Sequence, residues 1–202
     1  PYRRSRAYPS RVSKPGDPRP VDGLAADGLA EDLDADGRWA PWPPPEVVRT
    51  TETTMADVEQ LARAGAPEGT TVVAEEQTAG RGRHGRQWES RPFAGLWLSL
   101  LLRPPAEPML QIGWLTLAIG VGVSRGIDEA TGVDVGLKWP NDLVTDDGKV
   151  AGILAERLPD GSVVMGIGIN VDQDRDELPE TGTSLRLLGS TTSRQRVLTH
   201  VL

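Results

Sequence analysis

No cysteine occurs anywhere in the 202 residues. Disulfides, thiolate metal sites and a cysteine nucleophile are thereby excluded, and the composition fits a reducing compartment. Histidine is almost as scarce. His84 and His200 are the only two, too few and too far apart for a metal cluster or a catalytic triad. No apolar run reaches the ~18 residues that a membrane-spanning helix needs. The Arg- and Pro-rich start, residues 1–20, lacks the apolar stretch of a secretory signal. A cytoplasmic protein without a membrane partner is therefore expected. An excess of positive charge is missing as well. The 22 Lys and Arg face 29 Asp and Glu, a net charge of −7, so any anion site has to be a local cluster of cations. Neither a Walker A sequence nor a G-x-S-x-G motif is present, so a bound nucleotide is not held by a P-loop.

What is there supports one domain of ordinary size, since 38% of the residues are hydrophobic. Residues 1–45 stand apart. They run from basic (Arg3, Arg4, Arg6, Arg11) through acidic (Asp22, Asp27, Glu31, Asp32) to Trp39-Ala40-Pro41-Trp42-Pro43-Pro44-Pro45. That composition predicts a loose tail, on which the two Trp can still dock. Order is expected from Val47 onward. Thr53 and Thr54 precede a helical run through Val58, Leu61 and Ala62, with a hydroxyl in the N-cap position. Strands are expected at residues 70–75, 95–102, 135–139 and 163–171, and a hairpin joins 143–145 to 150–156 through Asp146-Asp147-Gly148. Ile112, Leu115, Ile119, Val123 and Ile127 fall at helical spacing up to Gly132. A last helix opens after Thr191. This order predicts an α+β fold with a mixed, mostly antiparallel sheet and helices packed on it.

Three segments carry chemistry. The first is Gly80-Arg81-Gly82-Arg83-His84-Gly85-Arg86-Gln87-Trp88. Its glycines let backbone N–H groups approach a ligand, and its arginines match carboxylate or phosphate oxygens. Such a loop should be ordered by an anion. A solvated surface loop or an RGG-like RNA tract has a similar composition, and at this level those readings stay open. The second is Lys138-Trp139-Pro140-Asn141-Asp142, with Lys149 across the hairpin. A lysine beside an aspartate suits phosphate and magnesium: Lys neutralises phosphoryl charge and Asp offers oxygen to the metal. The third is Gly166-Ile167-Gly168-Ile169-Asn170. The glycines mark a close approach of backbone, and Asn170 either binds ligand or satisfies backbone.

These segments resemble the catalytic domain of the biotin–protein ligase family, relatives of the lipoate ligases. The matching blocks are Glu75 to Trp88, Lys138 to Asp142, Gly148 to Glu156 and Gly166 to Asn170. They occur in the family's order, within residues 46–202. The resemblance implies a class II synthetase-like biotin/lipoate ligase catalytic domain. It would use ATP and Mg²⁺ to convert biotin into biotinyl-5'-AMP, then pass biotin to a lysine on the biotin carboxyl carrier domain of a carboxylase. It also implies residue roles. Thr53, Thr54 and Gln77 would contact the ureido ring. Gly80, Arg81, Gly82 and Arg83 would close over biotin and its activated carboxylate. Lys149 would meet the carboxylate and the α-phosphate, and Gly152 and Leu154 would offer backbone groups to biotin. Arg83, Arg86, Trp88, Asn141 and Asn170 would serve the nucleotide, and Asp142 would sit near magnesium. Catalysis would fall to Lys149, Arg81 and Arg83.

Two departures from the family pattern stand out. The triplet Ser-Thr-Asn reads Thr53-Thr54-Met55 here, which exchanges an amide for a thioether. The family core is usually followed by a completed helix and a small C-terminal β-barrel, whereas this sequence reads as stopping inside that helix. No helix-turn-helix is legible, so DNA is not an expected partner. A lipoate or octanoate ligase, and a biotin-binding pseudoenzyme, are the rival readings.

Overall fold

A computed structural model describes residues 23–24, 29, 33, 42–105 and 112–202. Seven strands run through these residues: β1 (Glu46–Thr51), β2 (Thr71–Gln77), β3 (Gly95–Leu102), β4 (Gly136–Lys138), β5 (Asp142–Thr145), β6 (Gly148–Arg157) and β7 (Val163–Asn170). They form one sheet in the order β1-β2-β3-β7-β6-β5-β4. Only β1 and β2 pair in parallel; every other neighbouring pair is antiparallel. The helices are α1 (Thr54–Arg63), α2 (Ile112–Thr131) and α3 (Arg194–Val201). The expected α+β fold with a mixed, mostly antiparallel sheet is what the chain adopts.

Alternation along the strands assigns each face. Leu96, Leu98 and Leu100 of β3 join Val163, Met165, Ile167 and Ile169 of β7 in the larger core, beside Val123 and Ile127 of α2 and Val197 and Leu198 of α3. On the other face Leu101 and Val164 join Val72 and the α1 residues Met55, Val58 and Ala62. The sheet is thus covered on both sides near its centre. At the N-terminal end of α1, beside Thr53, Thr54 and Met55, the second face opens into the cleft described below. Among the described residues no helix is long and apolar enough to cross a membrane.

Three local outcomes differ from expectation. Thr53 takes the N-cap position of α1 with extended backbone, but its hydroxyl makes no capping bond; its carbonyl accepts from Ala56 and Asp57 instead. β4 is shorter than the expected 135–139. Val135 turns into the core, and Pro140, which has no N–H to donate, follows close behind. The loose tail expected for 1–45 is also corrected at the described positions. Leu24, Leu29 and Leu33 are buried in the larger core, with Leu29 and Leu33 in helical backbone. Their four-residue spacing puts both on one helical face, a local feature that average composition hides. Trp42 packs so closely over Gly69 that a Cβ there would fall 2.3 Å from the indole. Trp39 and the basic stretch lie outside the described residues.

Candidate active site

The floor of the cleft follows from the pleat of β6 and β7. Ile167 and Ile169 point into the core, so Gly166 and Gly168 face the opposite side. In register across the ladder, Gly152 lies beside Gly168 and Leu154 beside Gly166. The three glycines leave room that other residues take. A Cβ on Gly168 would sit 2.6 Å from the Trp88 indole, one on Gly152 would sit 3.0 Å from it, and one on Gly166 would sit 2.8 Å from Met55 Sδ. The close approach expected at Gly166 and Gly168 is present, and its occupants are Trp88 and Met55.

The Gly/Arg segment forms one wall. It is a small hairpin with bonds of its own. Arg81 and Gln87 form an antiparallel bridge, Gly82 N–H donates to Arg86 O at 2.8 Å, and Trp88 N–H donates to Gly80 O at 2.9 Å. At its tip His84 and Gly85 both have positive φ, 59° and 73°, the backbone pattern of a tight hairpin turn. Arg81 pairs with Glu156 of β6 at 3.2 Å. Arg83 and Arg86 are exposed and form no ion pair among the described residues.

The facing wall comes from the β5–β6 hairpin. Lys149 Nζ lies 2.6 Å from Asp142 Oδ1, with both side chains about 30% exposed, and 5.0 Å from the Trp88 ring centre. A carboxylate and an aromatic face thus hold one ammonium and still leave donors free. Asn141 Nδ2 donates to Ile153 O at 2.8 Å, and Ile153 N–H donates to Asn141 O at 2.9 Å. This fixes the approach to β5.

The deep end is polar on one side and apolar on the other. Gln77 Oε1 accepts from Thr54 N–H at 2.9 Å and from Thr54 Oγ1 at 3.1 Å, and Thr54 Oγ1 lies 2.7 Å from Ser99 Oγ. Thr54 has one hydroxyl proton; given to Gln77, it leaves Ser99 to donate to Thr54. Gln77 Nε2 donates to Ser90 Oγ at 2.8 Å, which leaves its second amide hydrogen for a ligand. Met55, only 3% exposed, covers Gly166 beside them.

These parts enclose one cavity of about 410 Å³, a size that suits a small organic ligand. Of the expected site residues, Thr53, Thr54, Gln77, Arg81, Gly82, Arg83, Arg86, Trp88, Asn141, Asp142, Lys149, Gly152 and Leu154 all line it. Two do not. Gly80 is buried beneath Trp88, where a Cβ would fall 2.3 Å from Trp88 O, so it serves the hairpin's own packing. Asn170 is buried, and its amide bonds within the protein, to Lys149 O, Thr183 O and Gln173 Nε2. Met55, His84, Gln87 and Lys138 line the cavity without having been singled out for it. Lys138 and His84 were legible only as parts of charged blocks, and Met55 only as a departure from a pattern. A second cavity adjoins the first and shares Arg83, Asn141 and Leu154 with it, bounded by Trp114 and Trp139.

A cationic hairpin and a tethered lysine over the glycine floor of an open sheet make a cleft whose chemistry suits small anionic ligands, carboxylate or phosphate in kind. Residues 45–174 match the biotin/lipoate A/B protein ligase family, and the chain belongs to that family. It is 43% identical over 159 residues to the bifunctional ligase/repressor BirA of Bacillus subtilis (strain 168), a match covering 74% of this chain and 49% of that protein. It is 40% identical over 171 residues to the biotin–[acetyl-CoA-carboxylase] ligase of Mycobacterium tuberculosis, covering 82% and 64%. A biotin protein ligase from Aquifex aeolicus, solved in complex with biotin and ATP, matches with a TM-score of 0.68 at 35% identity, covering 78% of this chain and 66% of that one. The chain therefore spans from 49% to 66% of the length of these relatives.

Proposed function

We propose that this chain carries the activating core of a biotin–protein ligase, which makes biotinyl-5'-AMP from biotin and ATP and passes biotin to a protein lysine. The observation that carries the reading is a single cavity lined by Arg81, Arg83, Lys149, Gln77 and Thr54. The names of the Mycobacterium and Aquifex relatives support the choice of biotin and ATP.

In the first step a carboxylate oxygen of biotin attacks the α-phosphorus of ATP. The new C–O–P anhydride forms as the α-phosphorus–oxygen bond to pyrophosphate breaks. In the second step a lysine amine attacks the carbonyl carbon, loses a proton to become an amide nitrogen, and releases AMP. The difficulty of the first step is the meeting of two anions. Lys149 lines the cavity from the sheet and Arg81 and Arg83 line it from the hairpin, so three cations can meet the carboxylate and phosphate charge. Thr53, Thr54 and the remaining Gln77 N–H suit the ureido group at the deep end, with backbone groups of Gly152 and Leu154 alongside. Arg83, Arg86, Trp88 and Asn141 suit the nucleotide, with the second cavity as room for it. Among the described residues no three His, Cys, Asp or Glu come together to hold a metal. Asp142 alone fits magnesium, which takes one or two carboxylates and completes its shell with water and phosphate oxygens. Bound there, the ion would neutralise phosphate charge. The acceptor consistent with the relatives' names is the biotin carboxyl carrier domain of a carboxylase, and the use of ATP fits the cytoplasm.

Pyrophosphate release on adding biotin and ATP to the chain tests the reading, with lipoate and octanoate in parallel. Release with biotin, and label transfer to a carrier domain, is the expected result. Release with lipoate or octanoate instead would move the chain to the other branch of its family. Biotin binding without release would make it a pseudoenzyme.

A further inference from the structure

Thr54 and Met55 are the first two residues of α1, and they stand over neighbouring strands. The Thr54 hydroxyl lies 2.7 Å from Ser99 Oγ on β3. The Met55 side chain covers Gly166 on β7, so closely that a Cβ on that glycine would fall 2.8 Å from Sδ and 3.0 Å from Cγ. Ser99 and Gly166 are partners in the β3–β7 register, and neighbouring strands lie about 4.8 Å apart. The deep end of the cavity therefore changes character within one strand spacing. On the Thr54 side, Gln77 and Ser90 continue the chain of hydrogen-bonding groups. On the Met55 side stands a thioether, and beyond it Leu154, the partner of Gly166 on β6.

Met55 shares the smaller core with Val58, Leu101 and Val164 and also lines the cavity. Apolar packing lies behind it and the ligand space before it. A thioether donates no hydrogen bond and accepts only weakly. A polar ligand atom pressed against it would give up water and gain no partner, so it would bind at a loss. The fused head of biotin is divided in the same way as the pocket. One edge carries the ureido N–H and C=O groups, and the opposite edge is the C–S–C of the thioether ring. With the ureido edge on Gln77 and Thr54, the sulfur edge meets Met55.

We infer that Met55 is a specificity-determining residue of the deep end. It admits a head group whose second edge is apolar and turns away one that carries oxygen there. The inference rests on the reading of the cavity as a biotin site.

Biotin sulfone, in which the ring sulfur carries two oxygens and the rest of the ligand is unaltered, is the probe. Calorimetric titration of the unaltered chain should show it binding on the order of 10- to 100-fold more weakly than biotin, the scale of burying a polar group without a partner. Met55→Gln nearly keeps the side chain's size and adds an amide donor, so the ratio of the two affinities should shrink by about tenfold. Met55→Leu adds no donor and should keep the ratio, whatever it does to biotin itself. A second arm serves if Met55→Gln does not fold. Gly166→Ala drives the thioether into the cavity and should weaken biotin by about tenfold, and adding Met55→Ala should restore most of that loss, because the first change acts through the second. A sulfone bound as tightly as biotin by the unaltered chain, a ratio unmoved in Met55→Gln, or a Gly166→Ala loss that Met55→Ala does not relieve would each overturn the inference while leaving the ligase reading in place. Should the unaltered chain bind no biotin, the ligase reading fails and takes this inference with it.

Discussion

Lys149 and Arg83 both bring positive charge to one cavity, yet they are held in opposite ways. Lys149 is on a sheet strand, paired at 2.6 Å with Asp142 and faced by Trp88. Arg83 is exposed at the turn of a hairpin whose tip backbone is left-handed at His84 and Gly85. The sheet wall can place a charge before any ligand arrives, while the hairpin wall can adapt to what has bound. Under the proposed reading, aligning two anions and then shielding their product calls for both, a fixed reference and an adaptable cover.

The sharpest test of this contrast is to remove the fixed cation. Lys149→Ala should slow adenylate formation by about 10³-fold, the scale of losing one preorganised group at developing charge. The fold should survive, because the pair it breaks is partly exposed and such pairs contribute only about 0–1 kcal/mol. Pyrophosphate release and a melting curve on the same sample check both halves. A variant that makes adenylate at the unaltered rate would remove Lys149 from the chemistry.

Next comes the floor on which both walls stand. Gly168→Val puts methyl groups where the Trp88 indole lies, since even a Cβ would be 2.6 Å from it. Overpacking of this kind costs about 1–3 kcal/mol. The displaced indole would also intrude on the cavity and loosen Lys149, so biotin binding should weaken along with stability. Calorimetric titration and thermal unfolding read the two effects. Unchanged values for both would mean that Trp88 is not seated on the floor.

The same glycines show what the sequence made legible. Gly166-Ile167-Gly168-Ile169 can be read from one chain, because strand alternation sends the isoleucines inward and the glycines to the cleft. The β5–β6 hairpin was legible from Asp146-Asp147-Gly148 in the same way. What could not be read depended on partners distant in sequence. Asn170 is committed to carbonyls 21 and 13 residues away. Leu24 N–H donates to Glu75 Oε1, and the other oxygen of that carboxylate receives Arg194 at 2.6 Å. No local pattern announces such bonds. The hairpin within the Gly/Arg segment lies between these cases: a His-Gly pair is one of the dipeptides able to take positive φ, but its neighbours' charge draws attention to ligands instead.

Removing a movable cation should matter less than removing the fixed one. Arg83→Ala should lower the rate of adenylate formation by about tenfold, toward the weak end of what a positioned charge contributes, with no change in unfolding temperature, since the side chain is exposed. Added salt should shrink the difference between Arg83→Ala and the unaltered chain more than it alters the loss from Lys149→Ala, because exposed charges are screened within ~8–10 Å while partly buried ones are screened less. Equal salt sensitivity would erase the distinction between the two walls.

The smallest effect expected is at Glu156, which holds Arg81 at 3.2 Å with both side chains 39% exposed. An incoming carboxylate or phosphate has to compete with Glu156 for that guanidinium. Glu156→Gln keeps the shape and removes the competing charge. If the pair contributes the 0.2–1 kcal/mol usual for exposed ion pairs, affinity for biotinyl-AMP should rise by no more than about fivefold. The gain should vanish in an Arg81→Ala background, because Glu156 acts on the ligand only through Arg81. Weaker binding in Glu156→Gln would show instead that Glu156 aims Arg81 at the cavity, and the hairpin would then be as fixed a wall as the sheet.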